Sequence, residues 1–180
     1  MSAIETLRIL FKGFPNPHKI ENLPFEGEIQ ECFGWKIASI TDPLLGVFKG
    51  LAYGSYSLSD RAKCHYDTHT SPTQNCGCGF YSFKNKKDAI KILNRREGFV
   101  LLKVEHYGTI IEHKLGFRSQ EQDIVAIEIP NVCSDLWCKT NPVGLSLIRK
   151  TWQSVCVKHR RKEFVNFHTL RSNLAIEVIL

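Results

Sequence analysis

The chain has 180 residues, 43% of them apolar and 23% charged, a balance that supplies one sizeable core and excludes a disordered or membrane-embedded class. No apolar run approaches the roughly 20 residues that span a bilayer. A formal charge of +6 suits an anionic partner without requiring one.

The elements follow in chain order. Residues 4–14 place Ile4, Leu7, Phe11 and Phe14 at the three- and four-residue steps of a short amphipathic helix, which Pro15 and Pro17 end. Glu5, Arg8 and Lys12 interrupt the same stretch, so it has no secretory h-region and a cytoplasmic location is expected. From 26 to 40 the pattern becomes extended, with Phe33, Trp35, Ile37 and Ile40 between turn residues. Asp42-Pro43 marks a turn, and 44–52 reads as a second strand.

Residues 78–83 read as a strand, followed by a helix from Asn85 to about residue 97 with Ala89, Ile90 and Leu93 inward and Gly98 as its stop. Both faces of 99–111 carry apolar groups, as a central strand requires, and Gly108 is a candidate bulge. The turn at 114–116 returns the chain toward a strand at 124–129. After Pro130 the spacing of Leu145, Ile148, Trp152 and Val155 predicts an amphipathic helix opened by Asn141-Pro142, with cations crowding its end. Residues 174–180 read as a strand that docks. The expected fold is α+β with a mainly antiparallel sheet, in a single domain 1–180: a sheet core 18–130 carrying a metal loop 64–78, then a helical C-terminal extension 131–180.

The run from Cys64 to Tyr81 reads Cys-x4-His-x2-Pro-x3-Cys-x-Cys-Gly-Phe-Tyr. Cys64, His69, Cys76 and Cys78 are three sulfurs and one imidazole within fifteen positions, a structural zinc set. Seven cysteines are an odd number for a disulfide framework in a reducing compartment, which favours metal. Cys76 and Cys78, two apart in an extended stretch, point to one side. His65 is the rival of His69, but its adjacency to Cys64 makes joint ligation awkward. Four protein ligands close the coordination sphere and leave no place for a water nucleophile, so the metal is expected to be structural. Cys133, Cys138, Cys156 and His159 are candidates for a second metal, with Cys156 and His159 on one face of the expected helix. Here core packing is the stronger competing account, since Cys156 borders the apolar face and Trp137 makes Cys138 resemble a core residue.

Lys158, Arg160, Arg161 and Lys162 are candidate phosphate-binding residues, with Trp152, Phe164 and Phe167 near enough in sequence to stack on bases. A charge run at a helix end is more often a solvated terminus. Glu105-His106 and Glu112-His113 could move protons, but alternation puts Glu105 and His106 on opposite faces and a solvated strand face explains them as well. The zinc-deaminase pattern His-x-Glu with Pro-Cys-x-x-Cys is not found.

Two stretches, Cys64 to Tyr81 and Tyr107-Gly108-x-Ile110-Ile111-Glu112-His113-x-x-Gly116-Phe117-Arg118, with Gly34-Trp35-Lys36 upstream, resemble a family of bacterial and phage proteins that has no assigned activity. The resemblance spans about 34–130 and implies a shared zinc-bearing core. Within it Gly116 is expected to make a hairpin, and Arg118 to pair with Glu112 or another acid. Gly79-Phe80-Tyr81-Ser82 followed by Asp88-Ala89 on a helix is similar to the strand-turn-helix element of ADP-ribosyltransferase-like proteins, which implies an alternative enzyme using a nicotinamide dinucleotide beside Tyr53 and Tyr81. By elimination, the expected function is a zinc-stabilised, non-enzymatic binding or adaptor module with a protein or nucleic-acid partner and no membrane contact.

Overall fold

The computed structural model describes residues 32–51, 54–65, 68–93 and 98–180. The helix expected over 4–14 and the start of the first extended segment lie outside the described residues. The fold is α+β and mostly antiparallel sheet, as the composition and spacing lead one to expect.

Strand β1 (Cys32–Asp42) alternates cleanly: Gly34, Lys36, Ala38 and Ile40 are buried on one face, and Trp35, Ile37 and Ser39 take the other. It turns at Asp42, whose Oδ1 accepts hydrogen bonds from the backbone of Leu44 and Leu45 at 2.9 and 3.0 Å. Strand β2 (Val47–Gly50) then returns beside β1, and the short β3 (Ser55–Tyr56) and β4 (Ser59–Arg61) follow. Beyond the Cys/His loop come β5 (Phe80–Phe83) and helix α1 (Lys86–Leu93). The long hairpin of β6 (Val100–Glu112) and β7 (Gly116–Glu128) completes this sheet together with the final strand.

Pairing closes the sheet on itself. β1 pairs with β6 from Cys32↔His106 to Ala38↔Val100, β6 with β7, β7 with β5 through Ser82↔Phe117, and β5 returns to β1 at Trp35↔Phe83. The four strands form a ring, which removes edges along the closed stretch. Strand β7 is paired on both sides for most of its length, by β6 throughout and by β5, β4 and the final strand in turn. Gly108 sits at φ 68° where the β6–β7 register shifts, and a Cβ there would lie 2.5 Å from Gln120 Oε1. The expected bulge is therefore present, and close approach keeps the position glycine. Helix α1 lays Ala89 and Ile90 on Ile37, Leu101 and Trp35, the outer face of β1 and β6.

Residues 144–155 depart from expectation. In place of an amphipathic helix, β8 (Gly144–Ile148) and β9 (Thr151–Val155) make a hairpin in register Leu147↔Trp152 and Ile148↔Thr151. The two-residue turn has Arg149 at φ 49° and Lys150 at φ 69°, the mirror-image turn that matches strand twist. Positions 145, 148, 152 and 155 satisfy helical spacing, but Thr151, Trp152 and Val155 prefer a pleated surface. Gly144 admits the backbone of β10 (Phe164–Asn166), since a Cβ there would meet Val165 O at 2.4 Å. In place of a helical extension, the segment 131–180 carries a second sheet, ordered β10-β8-β9, a 3-10 turn (Val157–His159), one eight-residue helix and a last strand that joins the first sheet.

That helix, α2 (Phe167–Leu174), is capped by Asn166, whose side chain accepts from Thr169 N at 2.8 Å, and it ends at Ala175 in the left-handed region. It buries Phe167, Leu170 and Leu174. Strand β11 (Glu177–Ile179) then docks parallel to β7, so residues 174–180 close the chain as the sequence suggests. One apolar cluster joins Ala38, Val104 and Ile127 of the first sheet to Leu145 and Leu170 of the later segment.

Candidate metal centres

The first Cys/His group is built between β4 and β5. An antiparallel bridge, Lys63↔Thr70, closes the base of a tight loop and brings Cys64 and His69 face to face. Cys76 and Cys78 approach from the far side, just ahead of β5. The donor atoms of Cys64, His69, Cys76 and Cys78 all lie within 4.8 Å of one another. Cys64 Sγ and Cys76 Sγ are 3.6 Å apart, and His69 Nε2 is 3.2 Å from Cys78 Sγ. A disulfide needs about 2.05 Å, whereas two sulfurs about 2.3 Å from one zinc sit about 3.8 Å apart on a tetrahedral edge. The set fits a tetrahedral ion. It is His69, not His65, that joins it.

Arg118 holds this loop to the barrel. Its side chain is 1% exposed, with Nη1 donating to Cys76 O and Nη2 donating to Thr73 O at 2.8 Å. The pairing expected with Glu112 does not form; Glu112 takes Lys84 instead. Gly79 makes room for the guanidinium stem, because a Cβ there would lie 2.7 Å from Arg118 Cγ, and its φ of 115° is one that side chains avoid. Tyr81 donates its hydroxyl to Gly77 O at 2.9 Å. Burial pushes the Cys78 thiol up, but Ser71, His69 and the Thr73 backbone outweigh it and bring the thiol down to about 6. The thiolate that a metal requires is favoured there before any ion arrives.

The second group draws on two segments of the chain. Cys156 follows β9, His159 ends the 3-10 turn, and Cys133 and Cys138 lie on the segment after β7. That segment is tied to β9 by Ser134 N donating to Ser154 O at 2.8 Å and by Ser154 Oγ donating to Val132 O at 2.7 Å. Cys138 Sγ lies 3.6 Å from Cys156 Sγ, and His159 Nδ1 lies 3.3 and 3.4 Å from the sulfurs of Cys133 and Cys156. All four donors are again within 4.8 Å. The other imidazole nitrogen faces Asp135 Oδ2 at 3.9 Å, an orienting carboxylate of the kind that supports metal-bound histidine. Hydrogen bonds from the backbone and side chain of Thr140 lower Cys138 to about 6.

Spacing on a helix does not produce this pair, since a 3-10 turn carries Cys156 and His159 together. Nor is Trp137 a core residue: it is 92% exposed. Lys158, Arg160, Arg161 and Lys162 are exposed beside the same group. The aromatic residues expected to stack are otherwise engaged, with Phe167 buried, Trp152 Nε1 donating to Thr41 O at 3.3 Å, and Phe164 under the Arg160 guanidinium.

The inside of the ring holds a polar layer that alternation alone does not reveal. His106 is buried rather than on a solvated face, with Nε2 2.6 Å from Ser82 Oγ and Nδ1 2.7 Å from Ser119 Oγ. Gly34 faces it, and a Cβ there would fall 2.0 Å from Ser82 Oγ. Below it Lys36, only 9% exposed, donates to Gln122 Oε1 at 2.9 Å and lies over the rings of Tyr56 and Phe80 at 4.3 and 4.8 Å. Burial lowers Lys36 to about 7 and His106 to about 4.

One open cleft of about 560 Å³ is lined by Asp60, Tyr107, Glu121 and Asp123, and another of about 610 Å³ lies between α1 and the second sheet. Neither is lined by a residue of either Cys/His group. Among the described residues no helix is long and apolar enough to cross a membrane. Comparison with protein-family models, curated proteins and solved structures finds no match to this chain.

Proposed function

We propose that the chain is a non-enzymatic binding module stapled by two structural zinc ions, one held by Cys64, His69, Cys76 and Cys78 and the other by Cys133, Cys138, Cys156 and His159. The observation that carries this reading is the convergence of eight donors into two sets of three sulfurs and one imidazole. Sulfur-rich N/S sets select zinc among common cations, and four protein donors close a tetrahedron and leave no position for a reacting water. Such an ion supplies folding energy and holds loops in place. The charge balance at the first site agrees: zinc with three thiolates is net −1, and the buried Arg118 cation stands beside it.

An ADP-ribosyltransferase-like enzyme has less support. Tyr81, which its cleft would use, spends its hydroxyl on the Gly77 carbonyl inside the metal loop, and Tyr53 lies outside the described residues. The likeness of 34–130 to the bacterial and phage family belongs to the same proposal, as a zinc-bearing core common to both.

Native mass spectrometry of protein purified without added metal tests the reading. Two zinc ions per chain are expected, falling to one in Cys76→Ser and one in Cys156→Ser. A folded, metal-free chain would overturn it.

A further inference from the structure

The second metal centre carries a surface that the staple itself does not need. Between Cys133 and Cys138 the chain turns outward, and Leu136 and Trp137 are 83% and 92% exposed. Val132 and Val157 beside them are exposed as well. A tryptophan held almost wholly in water on a short turn, with a neighbouring leucine, is an unmet contact surface. Metal coordination fixes that turn, since Trp137 adjoins Cys138 and the 3-10 turn carrying Lys158 adjoins Cys156 and His159.

Charge says what covers it. From Val132 to Lys162 the sequence has seven Lys and Arg against the single Asp135, so this segment carries the entire formal excess of +6, while the remainder of the chain is balanced. Arg149 and Lys150 stand at the far turn of the β8–β9 hairpin; without them Lys139, Lys158, Arg160, Arg161 and Lys162 against Asp135 leave +4, and a closed zinc with three thiolates would leave +3. Asp135, already counted in that balance, places its carboxylate 3.9 Å from His159 Nε2. Lys139, Lys158, Arg160 and Lys162 are exposed around Trp137 in sequence and through the shared metal group.

We infer that this knuckle binds single-stranded nucleic acid, with a base stacked on Trp137 and the phosphates on Lys139, Lys158, Arg160 and Lys162. An exposed indole gives a face to any base, and the cations track a flexible backbone; a duplex hides its bases from such a platform. The inference deepens the binding-module reading and rests on it, because zinc holds the two halves of the surface together.

Fluorescence anisotropy with labelled oligouridylate and oligothymidylate of about 12 nucleotides, and with a duplex of equal length, tests it on the full chain. Single strands are expected to bind more tightly than the duplex. Trp137→Ala should weaken binding about tenfold and Trp137→Phe much less, both without loss of fold because the side chain is exposed. Lys158→Gln with Lys162→Gln should lower the slope of log affinity against log salt by about 1.4. Unchanged affinity in Trp137→Ala, equal or tighter duplex binding, or sedimentation with phosphatidylserine vesicles in place of oligonucleotide binding would overturn the inference. Two zinc ions by native mass with no oligonucleotide bound would overturn it alone and leave the zinc reading intact; a metal-free folded chain would remove the reading beneath it.

Discussion

His106 joins strands across the inside of the barrel, and Arg118 ties the barrel to its metal loop. His106 sits between two serine hydroxyls with its pKa lowered, chiefly by burial, to about 4. Below the ordinary histidine value the unfolded chain takes up a proton that the folded chain refuses. The stability from keeping His106 neutral is therefore fully present above about pH 6.5 and is lost as pH falls toward 4. Relative to His106→Gln, which stays neutral throughout, the wild type should lose about 2 kcal/mol between pH 7.5 and 5 in urea unfolding. A pH-independent difference between the two would show that His106 is not held neutral.

Arg118 acts on the other side of the same strands. Arg118→Gln removes the donors to Cys76 O and Thr73 O and should destabilise the fold by about 3 kcal/mol. It should also speed zinc loss to a chelator from the first site while leaving the second unchanged, which metallochromic assay of the two release phases can resolve. Equal acceleration of both phases would mean that Arg118 supports only the general fold.

At the scale of elements, legibility in the sequence follows how local each determinant is. The first Cys/His set is contained in fifteen residues, so spacing names its members and Lys63↔Thr70 only has to close the loop. The β6–β7 hairpin and the bulge at Gly108 are also readable, since alternation and glycine mark them directly. Residues 145, 148, 152 and 155 mislead because one spacing serves both a helix and a hairpin whose turn lies at Arg149-Lys150. The second metal set is named from the sequence but ranked below core packing for the same reason: its donors meet only after that hairpin folds. Lys36 and His106 are illegible for a different cause, as period-two alternation assigns faces but does not say that one face is the inside of a ring.

The turn itself can be tested. Arg149 and Lys150 adopt positive φ without being glycine or asparagine, which costs each about 1 kcal/mol. Arg149→Asn with Lys150→Gly places the favoured residues of this turn type and should raise stability by about 1 kcal/mol. Destabilisation on urea unfolding would argue that the hairpin register differs.

For the whole molecule, the two sheets share one apolar cluster while each has its own Cys/His group, placed to staple it separately once metal is bound. The first centre is pinned by Arg118 to the strand at the middle of the barrel, and the second pins the segment after β7 to the end of β9. On the proposed reading the labour would divide, with the buried ring giving rigidity and the exposed knuckle giving contact.

The most direct test is zinc K-edge X-ray absorption on protein purified without added metal. Two zinc ions per chain, each with an average shell of three sulfurs at about 2.3 Å and one nitrogen at about 2.0 Å, is the result the account expects. A shell dominated by oxygen, or one with an added water at each ion, would contradict closed structural centres and with them the binding-module reading.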